Sequence, residues 1–221
     1  MNTRVLAAVP FGAILVLATR GEPHAQQLPA APDAQTIINR VLERNPLLES
    51  FETRVHVRVR MLNFPWISLH LDGTSYFKRP SAYDVVFDRV PNYASSVKRI
   101  LADVADPLEW ERDWTVTAAR ASANGLPLFE LRMTKPAPGT LSEQDAFIDP
   151  LTYVVTRMEW HYTNGGSVAM TQTYRSEGGY TLIASQHADI RFPHVRAVAD
   201  ASYDAYQTNV ALDARVFQAH Q

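Results

Sequence analysis

The sequence predicts a mainly β (α+β) fold: a strongly curved antiparallel sheet, or unclosed β-barrel, of about ten or eleven strands, with an N-terminal helix and a helical lid over the concave face. Three observations support this. Residues 51–62 alternate between apolar and polar side chains, the pattern of a strand with one buried face. The same alternation continues to the C-terminus, with turn signals between the runs. Only two segments have helical spacing instead.

The N-terminus has the features of an export signal. Arg4 precedes the uncharged apolar stretch 5–18, which is shorter than the roughly 20 residues needed to span a bilayer. We therefore predict a signal peptide at 1–25, a Pro/Ala/Gln-rich linker at 26–32 and a single domain at 33–221. The protein is then exported to the periplasm or another extracytoplasmic part of the envelope. If the signal is not cleaved, it tethers the domain to the membrane.

The first helix is predicted directly after the linker. Asp33 is a helix-capping residue, and Ile37, Ile38, Val41 and Leu42 form one apolar stripe at helical spacing. The dipeptide Asn45-Pro46 ends this helix, because the residue before a proline avoids helical geometry.

Strands fill most of the remaining chain. Turn signals separate them: Arg79-Pro80, Asn124-Gly125, Asp149-Pro150, the glycines that follow Asn164 and Glu177, and Pro193-His194. The predicted strands are 51–62, 67–71, 75–78, 83–88, 114–121, 126–134, 146–148, 153–162, 167–174, 180–192 and 195–206. One helical turn is predicted at 213–217.

A second helix interrupts the strands at 93–104. Its apolar residues follow i, i+3, i+4, i+7 spacing, so one face can pack on the sheet. We predict that it is the lid, with the contact residues Val97, Ile100, Leu101 and Val104.

The inward strand positions are rich in large apolar and aromatic side chains. They either line an apolar cavity or form a closed core under the two helices. The predicted cavity residues are Val55, Val57, Val59, Met61, Tyr83, Val85, Phe87, Phe129, Leu131, Met133, Met158, Trp160 and Tyr162.

Composition argues against several function classes. A net charge of −2 is unlike that of a nucleic-acid binder, and the absence of cysteine excludes disulfides and thiolate chemistry. His187 and Asp189 form a short ligand-like pair, but surface histidines are the simpler interpretation because no zinc signature appears. Ser167 lacks the nucleophile elbow of a hydrolase. We therefore expect no enzyme activity, no metal and no cofactor.

The order of features resembles the LolA/LolB-like superfamily, in particular proteins described as LolA-like outer-membrane lipoprotein-sorting proteins. The resemblance covers about residues 33–221. It is carried by the first helix and long strand, Tyr76-Phe77-Lys78-Arg79-Pro80, Phe147-Ile148-Asp149-Pro150, Gln172-Thr173-Tyr174, Asp189-Ile190-Arg191-Phe192-Pro193 and Tyr203-Asp204-Ala205-Tyr206.

The resemblance implies an unclosed barrel that holds the acyl chains of lipids or lipoproteins under a helical lid, without catalysis. It also implies that Arg79 gates the cavity by bonding lid backbone; the simpler alternative is an exposed residue before a proline turn. Expected partners are lipid acyl chains or a lipoprotein, and a membrane transporter or receptor, with the protein as a monomer. The alternative function is an envelope sensor or protein-interaction domain of the same fold with a self-filled core, as in RseB-like stress signalling.

Overall fold

Eleven strands form one antiparallel sheet in the computed structural model, which describes residues 31–80, 82–89, 110–135 and 139–217. The predicted signal peptide, nearly all of the linker and the predicted lid with Val97, Ile100, Leu101 and Val104 lie outside these residues. The strands are β1 Ser50–Met61, β2 Ser68–Lys78, β3 Ala82–Phe87, β4 Thr115–Ala123, β5 Leu126–Thr134, β6 Leu141–Ile148, β7 Val155–Tyr162, β8 Ser167–Glu177, β9 Tyr180–Phe192, β10 Val195–Tyr203 and β11 Gln207–Thr208.

The sheet consists of two meanders, β1 to β3 and β4 to β10, which are joined by the pairing of β1 with β10. Its order is β3-β2-β1-β10-β9-β8-β7-β6-β5-β4, with β11 paired to the start of β1. Strands β3 and β4 are the two edges, and no ladder joins them in the part of the chain that the structure describes, so the sheet is not closed. The predicted fold class is confirmed.

The helices in the described part of the chain are short. Helix α1 spans Ala34–Leu42, α2 spans Trp110–Asp113, and a 3-10 turn covers Ala214–Phe217, where the sequence predicted a helical turn. Asp33 caps α1 as predicted, because its carboxylate accepts a hydrogen bond from the backbone N–H of Thr36 at 2.9 Å. Among the described residues, no helix is long and apolar enough to cross a membrane.

The core lies on the inner, concave face of the sheet. Along β1 the residues Val55, Val57 and Val59 are buried, whereas the residues between them point outward. Inner residues of β8, β9 and β10 join those of β1 and β7 in one hydrophobic cluster, although the β8–β9 ladder shifts its register between Thr173 and Tyr174. Helix α1 packs against this face with Ile37 and Ile38, which are almost fully buried.

Several strand boundaries differ from the prediction, most of all in β2, β6 and β10; β6 begins at Leu141 rather than at residue 146. Residues 67–71 and 75–78 were predicted as separate strands, but β2 is continuous because Gly73 takes part in ladders on both sides and faces Val55 and Phe87. In addition, the last long strand ends at Tyr203 rather than at residue 206, and the short strand β11 follows.

Gln144 is a polar side chain at the centre of the core, where apolar groups are expected. It is fully buried; its amide nitrogen contacts only the sulfur of Met133 at 3.5 Å, and its oxygen has no partner among the described residues. A buried acceptor without a hydrogen bond costs about 1–3 kcal/mol.

Gln144→Met is therefore expected to raise the free energy of unfolding by about 1–2 kcal/mol, because methionine keeps the volume and removes the unpaired oxygen. Denaturant unfolding of the purified protein measures this. The matched control is Gln172→Met, which removes an amide bonded to Val155 O at 2.6 Å and should destabilise. A less stable Gln144→Met variant would show that the amide oxygen has a partner, such as a buried water.

Candidate functional site: a cavity on the concave face

A cavity of about 300 Å³ opens at the end of the sheet where α1 lies. It lies between the end of α1, the adjoining ends of β2 and β3, and strands β7, β8 and β9. The lining is mainly apolar and aromatic: Val41, Arg44, Asn45, Phe77, Tyr83, Trp110, Tyr153, Val154, Val155, Met158, Met170, Gln172, Tyr174, Thr181, Ile183 and Gln186. Its size is at the lower end of the range for small-molecule sites.

Of the thirteen predicted cavity residues, Tyr83 and Met158 line this cavity. The other eleven belong to the inner-face cluster or pack against it. Leu131, for example, has no exposed surface and contributes to a closed core between the strands. This open space adjoins the end of α1, and the full set of cavity residues stays a prediction.

Polar groups in the cavity wall mostly satisfy one another. The Gln172 amide donates to Val155 O at 2.6 Å and to the Tyr174 hydroxyl at 2.7 Å, and it accepts from Gln186 at 3.0 Å. The Tyr203 hydroxyl donates to Gln186 at 2.7 Å. Burial raises the pKa values of Tyr174 and Tyr203 above the ordinary value, so both hydroxyls stay protonated near neutral pH.

Two lining groups retain unused hydrogen-bond donors. Arg44 donates to the carbonyl of Thr152 and lies over the ring of Tyr174 at 5.9 Å, but no carboxylate lies within 4 Å of it among the described residues. Burial lowers the pKa of Arg44, although it remains a cation. The indole N–H of buried Trp110 has no partner in the described part of the chain. This lining therefore suits a guest with a hydrocarbon part and a hydrogen-bond acceptor.

Arg79 ties the segment between α1 and β1 to the end of β2. Its Nε donates to Leu48 O at 2.6 Å and its Nη2 donates to Asn45 O at 2.5 Å. Asn45 in turn lines the cavity and exchanges hydrogen bonds with Thr181 of β9, at 2.9 and 3.0 Å. The guanidinium thus contacts backbone carbonyls beside the cavity, although these belong to the connector after α1 and not to the predicted lid.

Two histidines of the outer face, His56 and His187, are paired with carboxylates. His56 lies 2.7 Å from Asp72 and 3.3 Å from Asp204, and hydrogen bonds from these two groups raise its pKa. His187 lies 2.6 Å from Asp200 of the next strand, rather than forming a site with Asp189. His161 on β7 and His194, in the turn after β9, are separated by β8.

One group of potential metal ligands occurs among the described residues. Oxygen or nitrogen atoms of Glu143, Asp145 and His161 lie within 4.8 Å of one another on the outer face of β6 and β7. The Arg132 guanidinium lies 3.1 Å from Asp145 and 3.5 Å from Glu143. The same guanidinium bridges both carboxylates, so ion pairing accounts for their proximity.

No protein-family model matches the sequence, and no curated protein is significantly similar to it. Several solved structures superpose on it, and three of them are described here. A DUF1329 family protein from Desulfovibrio piger has a TM-score of 0.62 at 10% identity, over 83% of this chain and 96% of that one. A LolA superfamily protein from Nitrosomonas europaea has a TM-score of 0.58 at 12% identity, over 85% of this chain and 98% of that one.

The third structure comes from Vibrio parahaemolyticus and is described as an outer-membrane lipoprotein-sorting protein domain. Its TM-score is 0.61 at 10% identity, over 82% of this chain and 94% of that chain. At these identities the likeness establishes architecture alone. Together with the unclosed sheet and the N-terminal helix on its concave side, it shows that this protein has a LolA-like fold.

Proposed function

We propose that this protein is a non-catalytic carrier of the extracytoplasmic envelope that binds a lipid or the acyl chain of a lipoprotein. The single observation that carries the proposal is the apolar cavity between α1 and the inner face of the sheet. Each methylene that moves from water into such a cavity contributes about 0.8 kcal/mol. Because the cavity is small, a segment of one chain is the expected guest rather than several complete chains.

Arg44 and Trp110 indicate that this guest also has a polar group. A buried N–H without an acceptor and a guanidinium with no carboxylate within 4 Å among the described residues both favour a ligand that brings an oxygen acceptor; Asp149 acts on Arg44 only at longer range. A fatty acid, or the ester or amide at the head of an acyl chain, supplies such an oxygen. The apolar leader-like segment 5–18 and the LolA-like fold support an envelope location.

Extraction of the purified full-length protein, followed by lipid mass spectrometry, tests the proposal directly. A bound acyl lipid at near-stoichiometric amount is the expected result. No extracted lipid, together with no uptake of a fluorescent fatty acid, would overturn the carrier function.

Filling the cavity gives a sharper test. Ile183 lines the cavity from β9 and is only partly buried, so Ile183→Trp should place the indole in the open space and weaken fatty-acid uptake at least about tenfold. Titration with the fluorescent probe measures this. The matched control is Thr171→Trp, at an exposed position on the outer face of β8, which should bind as the original protein does. Equal affinities in both variants would mean that the probe binds elsewhere.

The alternative is an envelope sensor or protein-interaction domain with a self-filled core. One observation favours it: eleven of the thirteen predicted cavity residues instead pack in or against the core, which leaves only a small cavity. This function would be supported if the purified protein contained no lipid and did not take up the fluorescent fatty acid.

A further inference from the structure

The hairpin between β1 and β2 exposes an unusual concentration of apolar side chains. Four of the eight large hydrophobic residues that are exposed among the described residues lie within the six positions 62–67. Leu62 is 53% exposed, Phe64 42%, Trp66 78% and Ile67 39%. Scattered single hydrophobic residues are normal on a surface, but a contiguous group at a protruding tip indicates an interaction site.

This tip, residues 62–67, is an ordered turn. Ile67 N donates to Phe64 O at 2.8 Å, and Met61 N donates to Ile67 O at 3.2 Å. The rings of Phe64 and Trp66 meet edge to face at 5.8 Å. Leu62 N donates to Arg196 O at 2.7 Å, which joins the tip to the neighbouring β9–β10 hairpin. The apolar side chains are therefore held outward by backbone bonds before any partner binds.

Three arginines surround the tip on the outer face of the sheet. Arg60 on β1 lies two positions before the tip. Arg196 on β10 and Arg191 on β9 are cross-strand partners of each other. All three are exposed, and none has a carboxylate within 4 Å in the described ranges. Two like charges directly opposite each other destabilise a ladder, so an anionic partner would relieve this repulsion.

The turns next to the tip also lack acidic side chains. The turns 62–67, 163–166 and 193–194 lie side by side at one end of the sheet, and none contains an acidic residue. Phe192 packs so closely on Gly166 that a Cβ there would lie 2.2 Å from its ring, which holds two of these turns together. This end is therefore apolar and basic in a protein whose net charge is −2.

We propose that this end of the sheet docks on an anionic phospholipid surface, with Trp66 and Phe64 at the headgroup level and Arg60, Arg191 and Arg196 against the phosphates. Tryptophan is the residue best suited to a membrane interface, because its ring is apolar and its N–H is polar. Arginine forms paired hydrogen bonds with phosphate oxygens. The combination of apolar anchors and adjacent basic residues is the chemistry of peripheral membrane attachment.

Docking by this end orients the molecule. Strands β1, β7 and β9 run from the end with α1 and the cavity toward the end with the tip, as the antiparallel registers require. The cavity then faces away from the bilayer. The docking surface is therefore separate from the cavity and does not depend on the proposed carrier function.

Trp66 itself reports on the docking. The protein has four tryptophans, and Trp110, Trp114 and Trp160 are at most 9% exposed. Acrylamide quenching of the full-length protein therefore measures mainly Trp66. With phosphatidylcholine vesicles that contain phosphatidylglycerol, we expect quenching to fall at least about twofold, and pure phosphatidylcholine vesicles should give little change. Because the signal comes from the tip, attachment through another segment does not produce it.

Matched variants distinguish docking through the tip from other ways of binding vesicles. Leu62→Ser with Phe64→Ser leaves the Trp66 probe in place and should abolish the protection, whereas Leu126→Ser with Leu151→Ser removes exposed leucines at the opposite end and should not. Arg191→Gln with Arg196→Gln should remove the preference for phosphatidylglycerol. Unchanged quenching with vesicles would overturn the proposal. So would equal protection by both kinds of vesicle, or protection that rises with protein concentration alone, which indicates a second copy on the tip.

Discussion

Ile38→Ala is expected to lower the free energy of unfolding by about 2–5 kcal/mol, the usual cost of removing a fully buried isoleucine side chain. Ile38 is 1% exposed and, with Ile37, holds α1 on the inner face of the sheet. A helix of nine residues is too short to be stable alone in water, so these contacts maintain it. Loss of α1 would open the part of the cavity wall that Val41 and the adjoining Arg44 form.

Two measurements distinguish global from local destabilisation. Denaturant unfolding gives the total change, and hydrogen exchange shows whether α1 opens while the sheet stays protected. We expect α1 to lose protection first and an apolar dye to bind more strongly. The control is Arg40→Ala, at an exposed position of the same helix. If Ile38→Ala lowered protection equally in α1 and in β5, α1 would be an integral part of the core rather than a separable cover.

The strands could be predicted from sequence because one face of the sheet is exposed to solvent. In β1, charged residues such as Arg58 alternate with valines, and this period of two has no helical interpretation. Strand β9 has the predicted bounds 180–192, since Gly179 precedes it and Pro193 follows it. The turn Asn124-Gly125 was equally clear, and both residues have positive φ, as a tight hairpin requires.

The cavity was harder to predict because it depends on how the sheet curves. The inner positions of β1 and β5 have the same apolar pattern as those of the cavity strands, and Val55 and Leu131 are buried in the core cluster. The open space instead adjoins α1, and several of its lining residues are polar. Gln172 and Gln186 have no apolar pattern that would place them inside; only the three-dimensional pairing of β8 with β9 brings them together.

Arg79 illustrates a third case, in which the resemblance identified a residue but not its contacts. The resemblance implied bonds to a lid, and the predicted lid residues lie outside the described part of the chain. The described contacts are with the connector that follows α1. Since this connector includes Asn45 in the cavity wall, control of ligand exchange by Arg79 remains our proposal, through a different element.

Arg79→Leu is expected to lower the free energy of unfolding by about 1–3 kcal/mol and to accelerate fatty-acid release severalfold, without loss of the fold. The substitution leaves the carbonyls of Leu48 and Asn45 without their donors. The Arg79 side chain is 34% exposed, so water replaces part of what is lost and the protein still folds. The freed connector can then move away from Thr181 and open the cavity wall.

Stopped-flow displacement of the fluorescent fatty acid measures the release rate, and two variants test the mechanism. Lys78→Leu removes a neighbouring exposed positive charge and should leave release unchanged. Arg79→Lys keeps the charge, but a single ammonium group cannot reproduce the planar fork that bonds two separate carbonyls, so release should still accelerate. A stability loss in Arg79→Leu with an unchanged release rate would show that the guanidinium only holds the connector in place. Equal acceleration in Lys78→Leu would assign the effect to charge instead of to these two hydrogen bonds.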